Sequence, residues 1–175
     1  MIESQLKKVI RDVPDFPKTG IIFKDITPIL KDPDLCRDIV EAFAERFSKL
    51  EFDAIAGIES RGFLFGLMLA NRFNIPFIPI RKKGKLPAET IAQTYDLEYG
   101  TATIEIHRDA FTPGTRVLIH DDLLATGGTV EASAKLIQQL GGEVAGFSFI
   151  IGLSFLKGEE RLTDYSKELV TLAQY

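Results

Sequence analysis

The stretch Val117-Leu-Ile-His-Asp-Asp-Leu-Leu-Ala-Thr-Gly-Gly-Thr129, with the run that follows it to Gly142, decides how the chain is organised. Residues 117–119 are apolar and predict a buried strand, at the end of which stands the acid pair, Asp121 and Asp122. Residues 125–129, called the phosphate loop here, are small or carry a hydroxyl. The apolar residues that follow have an α-helical period and predict a helix that stops at Gly141: Val130, Ala134, Ile137 and Leu140.

A turn of small residues that opens a helix is suited to binding a phosphate group. The first N–H groups of a helix lack internal partners, and the helix dipole is positive at that end. Glycines let the backbone approach an anion closely, and Thr126 and Thr129 add hydroxyl donors. The acid pair repels phosphate but accepts hydrogen bonds from sugar hydroxyls, or holds a hydrated cation. Together these groups predict a site for a ribose 5-phosphate.

Three other motifs are excluded by the sequence. No Gly-x-Gly-x-x-Gly opens a helix after a strand, so the dinucleotide fingerprint is absent. Residues 57–62 have the glycine spacing of a P-loop, but Phe63 and Leu64 occupy the positions of its Lys and Ser/Thr. Ser60 is not a nucleophile of the Gly-x-Ser-x-Gly type, because Ile58 occupies the first glycine position.

The composition predicts one globular domain over residues 1–175. The chain is 45% hydrophobic and 26% charged, and its net charge of −4 argues against nucleic acid as a partner. Cys36 is the only cysteine and there are two histidines, so a disulfide framework or a Cys/His metal site is not expected. A signal peptide and a membrane-spanning apolar run are also lacking, which predicts a cytoplasmic protein without a membrane partner.

Alternation of strands and helices predicts a parallel sheet with right-handed crossovers. Strands are expected at 54–58, 77–80, 102–106, 117–119, 143–151 and 169–172, and helices at 6–13, after Asp32-Pro33 and at 63–73. Residues 81–100 are expected to form a long polar connection. Ligands of such sheets bind at the carboxyl ends of the strands. Glu59-Ser60-Arg61, Arg81-Lys82 and the acid pair each follow a predicted strand, so we expect them at one edge.

The segment Asp121–Thr129 resembles the signature for phosphoribosyl diphosphate (PRPP) in the type I phosphoribosyltransferases, in the form found in their adenine-specific members. The resemblance extends over nearly the whole chain. It implies a twisted, mainly parallel β-sheet flanked by helices, a small N-terminal hood over about residues 1–30, and a flexible catalytic loop over 81–100. It also implies transfer of the 5-phosphoribosyl group from PRPP to adenine, giving AMP and diphosphate, with Mg²⁺ bound with PRPP and a homodimeric assembly.

The same resemblance assigns roles to individual residues. The 5-phosphate and ribose would be held by Asp121, Asp122, Leu124, Ala125, Thr126, Gly127, Gly128 and Thr129. The diphosphate would meet Glu59, Ser60, Arg61, Arg81, Lys82 and Lys85, of which the basic segment would reach the partner subunit's site. The base would contact Ile22, Phe23, Lys24 and Leu153. The catalytic residues would be Glu98, Tyr99 and Arg61, and a metal ion would come with PRPP, near the acid pair.

Glu98 is the candidate proton-handling residue. Some related purine enzymes carry an aspartate inside the phosphate loop, where this chain has Ala125, which cannot transfer a proton. A loop that closes over the substrates would exclude water and raise the pKa of Glu98 between Leu97 and Tyr99. Taken singly, Glu98 as a surface acid, Phe23 as a core residue and the basic segment as a solvated charge run remain alternatives.

The chain departs from the family pattern at three positions, with His120 at a usually apolar position, Ala88 where Gly is usual, and Gly152 in place of a glutamate. Two alternatives to an adenine enzyme stand beside it. One is a phosphoribosyltransferase for another purine. The other is a PRPP-sensing regulator without chemistry, against which the segment around Glu98 and the lack of a DNA-binding module argue.

Overall fold

The computed structural model describes residues 1–97 and 100–175. Its helices are α1 (Ile2–Val9), α2 (Pro33–Arg46), α3 (Gly62–Phe73) and α4 (Gly128–Gln139). Its strands are β1 (Arg11–Pro14), β2 (Ile22–Asp25), β3 (Ala54–Ile58), β4 (Phe77–Lys82), β5 (Thr90–Asp96), β6 (Thr101–His107), β7 (Arg116–Leu124), β8 (Glu143–Gly152) and β9 (Leu169–Gln174). Short 3₁₀ helices cover Thr27–Lys31, Ser154–Leu156 and Gly158–Arg161.

The central sheet has seven strands in the order β5-β6-β4-β3-β7-β8-β9. The five strands from β4 to β9 in that order run parallel, whereas β6 and β5 are antiparallel to their neighbours. Strands β1 and β2 form a separate antiparallel pair, which is the small N-terminal sheet of the hood. The predicted class, a mainly parallel sheet flanked by helices, is confirmed.

Alternating residues of the central strands build two apolar cores, one on each face of the sheet. On β7, Val117 and Ile119 pack towards α4, and Leu118 packs on the other face with the apolar sides of α1, α2 and α3. All three residues are fully buried. This period of two explains why a strand covered on both faces is a continuous apolar run in the sequence.

The helix ends follow the predicted signals. The side chain of Asp32 accepts hydrogen bonds from the backbone N–H groups of Asp34 and Leu35, and Pro33 occupies the first position of α2. After α4, Gly141 has a φ of 79°, which stops the helix in a conformation that favours glycine. Among the helices described, none combines the length and apolar character needed to cross a bilayer.

Two predicted elements are wrong at their ends. The N-terminal helix stops at Val9, and Val13 lies in β1, where it pairs with Phe23 of β2. Backbone pairing with β2 therefore overrides the helical spacing of Val13. Strand β7 continues to Leu124. The acid pair therefore lies within the part of β7 that pairs with β8, and not after the end of the strand.

The predicted connection over residues 81–100 is also wrong in part, because it contains β5. Residues 90–96 pair along their whole length with β6 in an antiparallel hairpin. Ile91 and Tyr95 face the core on the α4 side, while the residues between them are more polar. An amphipathic edge strand of this kind has a weak hydrophobic pattern, which is why the sequence suggested a loop.

Candidate active site

The carboxyl end of β7 places the acid pair beside the ends of its neighbours. Gly57 of β3 pairs with His120, which directly precedes the acid pair. Ile58 of β3 pairs with Ile80 of β4, which directly precedes Arg81. The three predicted groups of polar residues therefore meet at one edge of the sheet, as expected for parallel neighbours.

The phosphate loop is shaped by close backbone contact with a second glycine segment. Gly127 has a φ of 82°, and a Cβ there would lie 2.7 Å from the carbonyl oxygen of Gly158. A Cβ on Gly158 would collide with the carbonyl oxygen of Ala125. The first bond of α4 follows at once, from the N–H of Glu131 to the oxygen of Gly127 at 2.8 Å. Gly158 is buried and supports the phosphate loop.

Arg61 joins three of the predicted subsites. Its Nε donates to Oδ2 of Asp122 at 2.5 Å, and Asp122 is only 3% exposed. Its guanidinium carbon lies 5.1 Å from the centre of the Phe23 ring. Gly62 lets the start of α3 come close to β7, since a Cβ there would lie 3.0 Å from Oδ1 of Asp121. The structure thus brings together the residues predicted for the base, the diphosphate and the ribose.

The two acids have different surroundings. Burial raises the pKa of Asp121 well above its ordinary value, and the adjacent negative charge of Asp122 raises it further. The backbone N–H of Asp122 donates to Oδ1 of Asp121 at 2.8 Å. Asp122 is held by Arg61, so Asp121 is the acid whose ionised form a bound cation would favour. The pair can therefore accept from ribose hydroxyls and respond to a positive charge.

Glu59 orients the start of the basic segment. Its Oε2 accepts from Nε of Arg81 at 3.1 Å and from the N–H of Lys82 at 3.0 Å. Burial alone would raise the pKa of Glu59, but the hydrogen bonds from Lys82 and Arg81 lower it below its ordinary value. Arg81 also donates from Nη1 to the carbonyl of Lys85 at 3.1 Å. Of the predicted diphosphate residues, Glu59 thus pairs with the Arg81 guanidinium, while Ser60, Lys82 and Lys85 are exposed.

The end of β5 lies against the phosphate loop. The hydroxyl of Thr129 donates to the hydroxyl oxygen of Tyr95 at 3.0 Å. A cavity of about 610 Å³ lies here, lined in part by Asp96, Leu97, Ala125 and Thr126. Glu98 and Tyr99 lie outside the described residues. Tyr95 lies within the predicted connection over residues 81–100, and the sequence did not indicate its contact with Thr129.

The predicted base residues lie on two separate segments. Phe23 is on β2 of the hood, and Leu153 follows β8, where its N–H donates to the oxygen of Leu124 at 2.9 Å. Ile22 is 56% exposed. The ammonium of Lys24 is engaged elsewhere, at 2.6 Å from Oδ1 of Asp12. The Lys24 side chain is therefore paired within the hood, and the contact of Ile22, Phe23, Lys24 and Leu153 with a base stays a prediction.

Of the three positions that depart from the family pattern, Gly152 and His120 make contacts that account for the residue present. A Cβ on Gly152 would collide with Oε1 of Gln174, whose amide donates to Oε1 of Glu159 at 3.1 Å. His120 is fully buried, and its Nδ1 lies 2.9 Å from Oγ of Ser148. Nothing in the structure explains Ala88, which is exposed.

His120 should make the fold acid-sensitive. Burial lowers its pKa to about 3, because the protonated ring would need an acceptor for Nε2, which lacks a partner among the described residues. The unfolded chain takes up this proton near pH 6.5, so stability present above that pH is lost as the pH falls towards 3. Relative to His120→Leu, the wild type should lose about 2 kcal/mol between pH 7 and pH 5.

Urea unfolding of both proteins at the two pH values measures this difference. Asp121 acts in the opposite direction, since a raised pKa favours the folded state at low pH, but it is common to both proteins. Equal losses of stability in the wild type and in His120→Leu would contradict the assignment.

Among the described residues, no cluster of three or more His, Cys, Asp or Glu side chains could hold a metal ion. The acid pair supplies two carboxylates beside a cationic guanidinium. This donor set fits an ion that brings other oxygen ligands with it, since Mg²⁺ binds through one or two carboxylates plus phosphates and water.

Together, the parallel sheet, the acid pair and the phosphate loop define a protein that binds a sugar phosphate at the carboxyl edge of its sheet. The model of the family described as "Phosphoribosyl transferase domain" matches residues 25–173. A curated adenine phosphoribosyltransferase of Cytophaga hutchinsonii is 55% identical over 100% of this chain and 97% of its own length.

Solved structures give the same result. The crystal structure of adenine phosphoribosyltransferase from Thermoanaerobacter pseudethanolicus is 50% identical, with a TM-score of 0.96 and 100% of both chains covered. That of the Saccharomyces cerevisiae enzyme, complexed with an imino-altritol bisphosphate and adenine, is 39% identical, with a TM-score of 0.91 and 98% of both chains covered. The chain belongs to the phosphoribosyltransferase family, in its group of adenine phosphoribosyltransferases.

Proposed function

We propose that the chain transfers the 5-phosphoribosyl group of PRPP to adenine, giving AMP and diphosphate, which is a purine salvage reaction. The observation that carries the proposal is the contact of Arg61 with both Asp122 and Phe23, directly beside the phosphate loop. Residues predicted for the base, the diphosphate and the ribose are therefore in direct contact through Arg61. The yeast relative, which was solved with adenine bound, supports the choice of base.

Each part of the site has a task in this reaction. The N–H groups and hydroxyls of the phosphate loop hold the 5-phosphate, and the acid pair accepts from the ribose hydroxyls. The bond from the sugar carbon to diphosphate breaks as a ring nitrogen of adenine bonds to that carbon, through an oxocarbenium-like state. Arg61, Arg81, Lys82 and Lys85 stabilise the charge that develops on the departing diphosphate.

Magnesium belongs to this proposal as an ion that binds together with PRPP. It would neutralise part of the negative charge on the diphosphate. Asp121 is the residue suited to face it, directly or through water, because Asp122 already pairs with Arg61. A positive charge bound there would favour the ionised form of Asp121, since a nearby cation lowers a carboxyl pKa.

Adenine should be the preferred base. A site that pairs with an exocyclic amine penalises a 6-oxo group, because donor and acceptor exchange places and leave buried partners unpaired. We expect kcat/KM for adenine to exceed that for hypoxanthine and guanine by at least about 10²-fold, measured with PRPP and Mg²⁺ present. Comparable values for the 6-oxopurines would indicate an enzyme for another purine.

We also propose a homodimer in the cytoplasm, in which the basic segment completes the partner's site. The exposed side of α3 supports an interface, since Leu64, Leu67 and Met68 are 42%, 59% and 36% exposed. Arg81 continues from the same region, with its guanidinium 6.0 Å from the ring centre of Phe63 on α3. The acidic composition and single cysteine support an intracellular enzyme that needs neither nucleic acid nor a membrane.

Complementation tests the shared site. One chain carries Arg81→Ala with Lys82→Ala, and the other carries Asp121→Asn with Asp122→Asn. Each should be nearly inactive alone, and random subunit exchange should restore about a quarter of wild-type activity, because half of the dimers then contain one intact site. No recovery, despite exchange shown by differently tagged chains, would mean that each site is built within one subunit.

A further inference from the structure

The two segments predicted to contact the base belong to different parts of the fold. Phe23 lies on β2 of the two-stranded sheet, and Leu153 lies just after β8 of the seven-stranded sheet. The described strands of these two sheets share no hydrogen-bonded ladder. Some other contact must set the distance between Phe23 and Leu153, and hence the width of a slot for a flat ring.

The backbone of Tyr175 fixes the segment on the Leu153 side. Its N–H donates to the carbonyl of Gly152 at 2.9 Å. Its own carbonyl accepts from the N–H of Ser154 at 3.0 Å and from the Ser154 hydroxyl at 2.7 Å. Leu153 is thereby held on both sides by one residue, and both Leu153 and Tyr175 pack against the same apolar core.

The ring of Tyr175 reaches the hood. Nζ of Lys24 lies 4.0 Å from the ring centre, a distance at which an ammonium group is attracted to an aromatic face. The Lys24 side chain is only 13% exposed, and Asp12 of β1 pairs with it at 2.6 Å. Since Lys24 directly follows Phe23 on β2, this contact fixes the strand that carries Phe23.

We infer that Tyr175 is a positioning residue for the base, because it joins the strand carrying Phe23 to the segment carrying Leu153. The inference rests on the proposed function. Without the ring–ammonium contact, β2 and the Leu153 segment would no longer be held at the separation that an adenine ring requires. The acid pair lies on β7 and the phosphate loop joins β7 to α4. The contacts of Tyr175 with Lys24, Gly152 and Ser154 involve neither, so binding of PRPP should not depend on the ring–ammonium contact.

Two substitutions at Tyr175 separate positioning from simple packing. Tyr175→Leu keeps an apolar side chain but removes the aromatic face, and should raise KM for adenine about three- to tenfold. KM for PRPP and kcat at saturating adenine should change by less than about twofold. Tyr175→Phe keeps the aromatic face and should restore the wild-type KM for adenine.

A matched control is Tyr165→Leu, since Tyr165 is a partly buried tyrosine that packs against the opposite core. It should leave KM for adenine unchanged, whatever its effect on Tm. If Tyr175→Leu folds poorly, Lys24→Met tests the same contact from the other side and should raise KM for adenine to the same extent. Asp12→Asn keeps the Lys24 ammonium group and should not raise KM for adenine.

The outcomes are distinct. A wild-type protein that forms no AMP from adenine rejects the proposed function itself. An active wild type with a Tyr175→Leu variant of unchanged KM for adenine rejects the positioning role alone. A rise in both KM values together, or a Tyr175→Phe variant as impaired as Tyr175→Leu, also overturns it.

Discussion

Replacing Asp121 and Asp122 together by asparagine is expected to lower kcat/KM by at least about 10³-fold and to leave the fold intact. The amide groups keep the volume of the carboxyls but lose the charges that accept strongly from ribose hydroxyls and that face the cationic transition state. Asp122 would also no longer hold Arg61 at its present 2.5 Å ion pair. Two groups that act on the reacting sugar are thus removed, and the guanidinium that joins them to the base site is displaced.

The fold should survive because neither acid belongs to the two apolar cores. The raised pKa of Asp121 shows that burial and the adjacent Asp122 charge disfavour its ionised form, so a neutral side chain there relieves repulsion. Kinetics and thermal unfolding of the same samples test the loss of kcat/KM and the survival of the fold. Asp164→Asn, at an exposed acid, is the control. Wild-type kcat/KM in the double variant would remove the ribose assignment.

The second large effect is expected at Glu98. Glu98→Leu should lower kcat by at least about 10²-fold, because general acid–base assistance is typically worth about 10²–10⁴-fold. Adenine must lose a ring proton as another ring nitrogen attacks the sugar carbon, and Ala125 in the phosphate loop cannot accept it. Asp96 and Leu97, which precede Glu98, line the cavity beside Ala125 and Thr126. The described residues before Glu98 therefore lie beside the phosphate loop.

Affinity for PRPP should change little in Glu98→Leu, since the phosphate loop and acid pair remain intact. Asp96→Ala and Glu89→Ala are the controls, as both acids are exposed and lie on the same hairpin or just before it. Steady-state kinetics with PRPP binding measured separately distinguish the two effects. A near-normal kcat for Glu98→Leu, or an equal loss for Asp96→Ala, would assign the proton to another group.

The parallel centre of the fold was predictable because its strands are buried on both faces. Residues 54–58 and 117–119 are continuous apolar runs, and such runs leave little choice of structure. The structure of the strands outside this parallel centre was harder to predict. Val13 has helical spacing but pairs in β1, and β5 at the sheet edge has only two residues facing the core, Ile91 and Tyr95. In both cases pairing with a neighbouring strand decided the structure, and that partner is not visible in a local window.

The site was predictable where one short segment carries several groups. The acid pair and phosphate loop are contiguous, so chemistry and spacing are visible together. Gly158 and Tyr175 were missed because each acts through contacts with residues distant in sequence. A collision with Ala125 and a ring facing Lys24 depend on packing between segments. The assignment of Glu59 to the diphosphate stays a prediction, and the bond that its carboxylate accepts from Arg81 is a contact that strand adjacency creates.

The most direct test of the proposed reaction is phosphorus NMR of PRPP, Mg²⁺ and adenine with the protein. The account predicts that AMP and diphosphate appear in equal amounts as PRPP disappears. It also predicts no AMP when adenine is omitted, and almost none with the Asp121→Asn, Asp122→Asn protein. PRPP that is bound but remains unchanged, or diphosphate released without AMP, would contradict it.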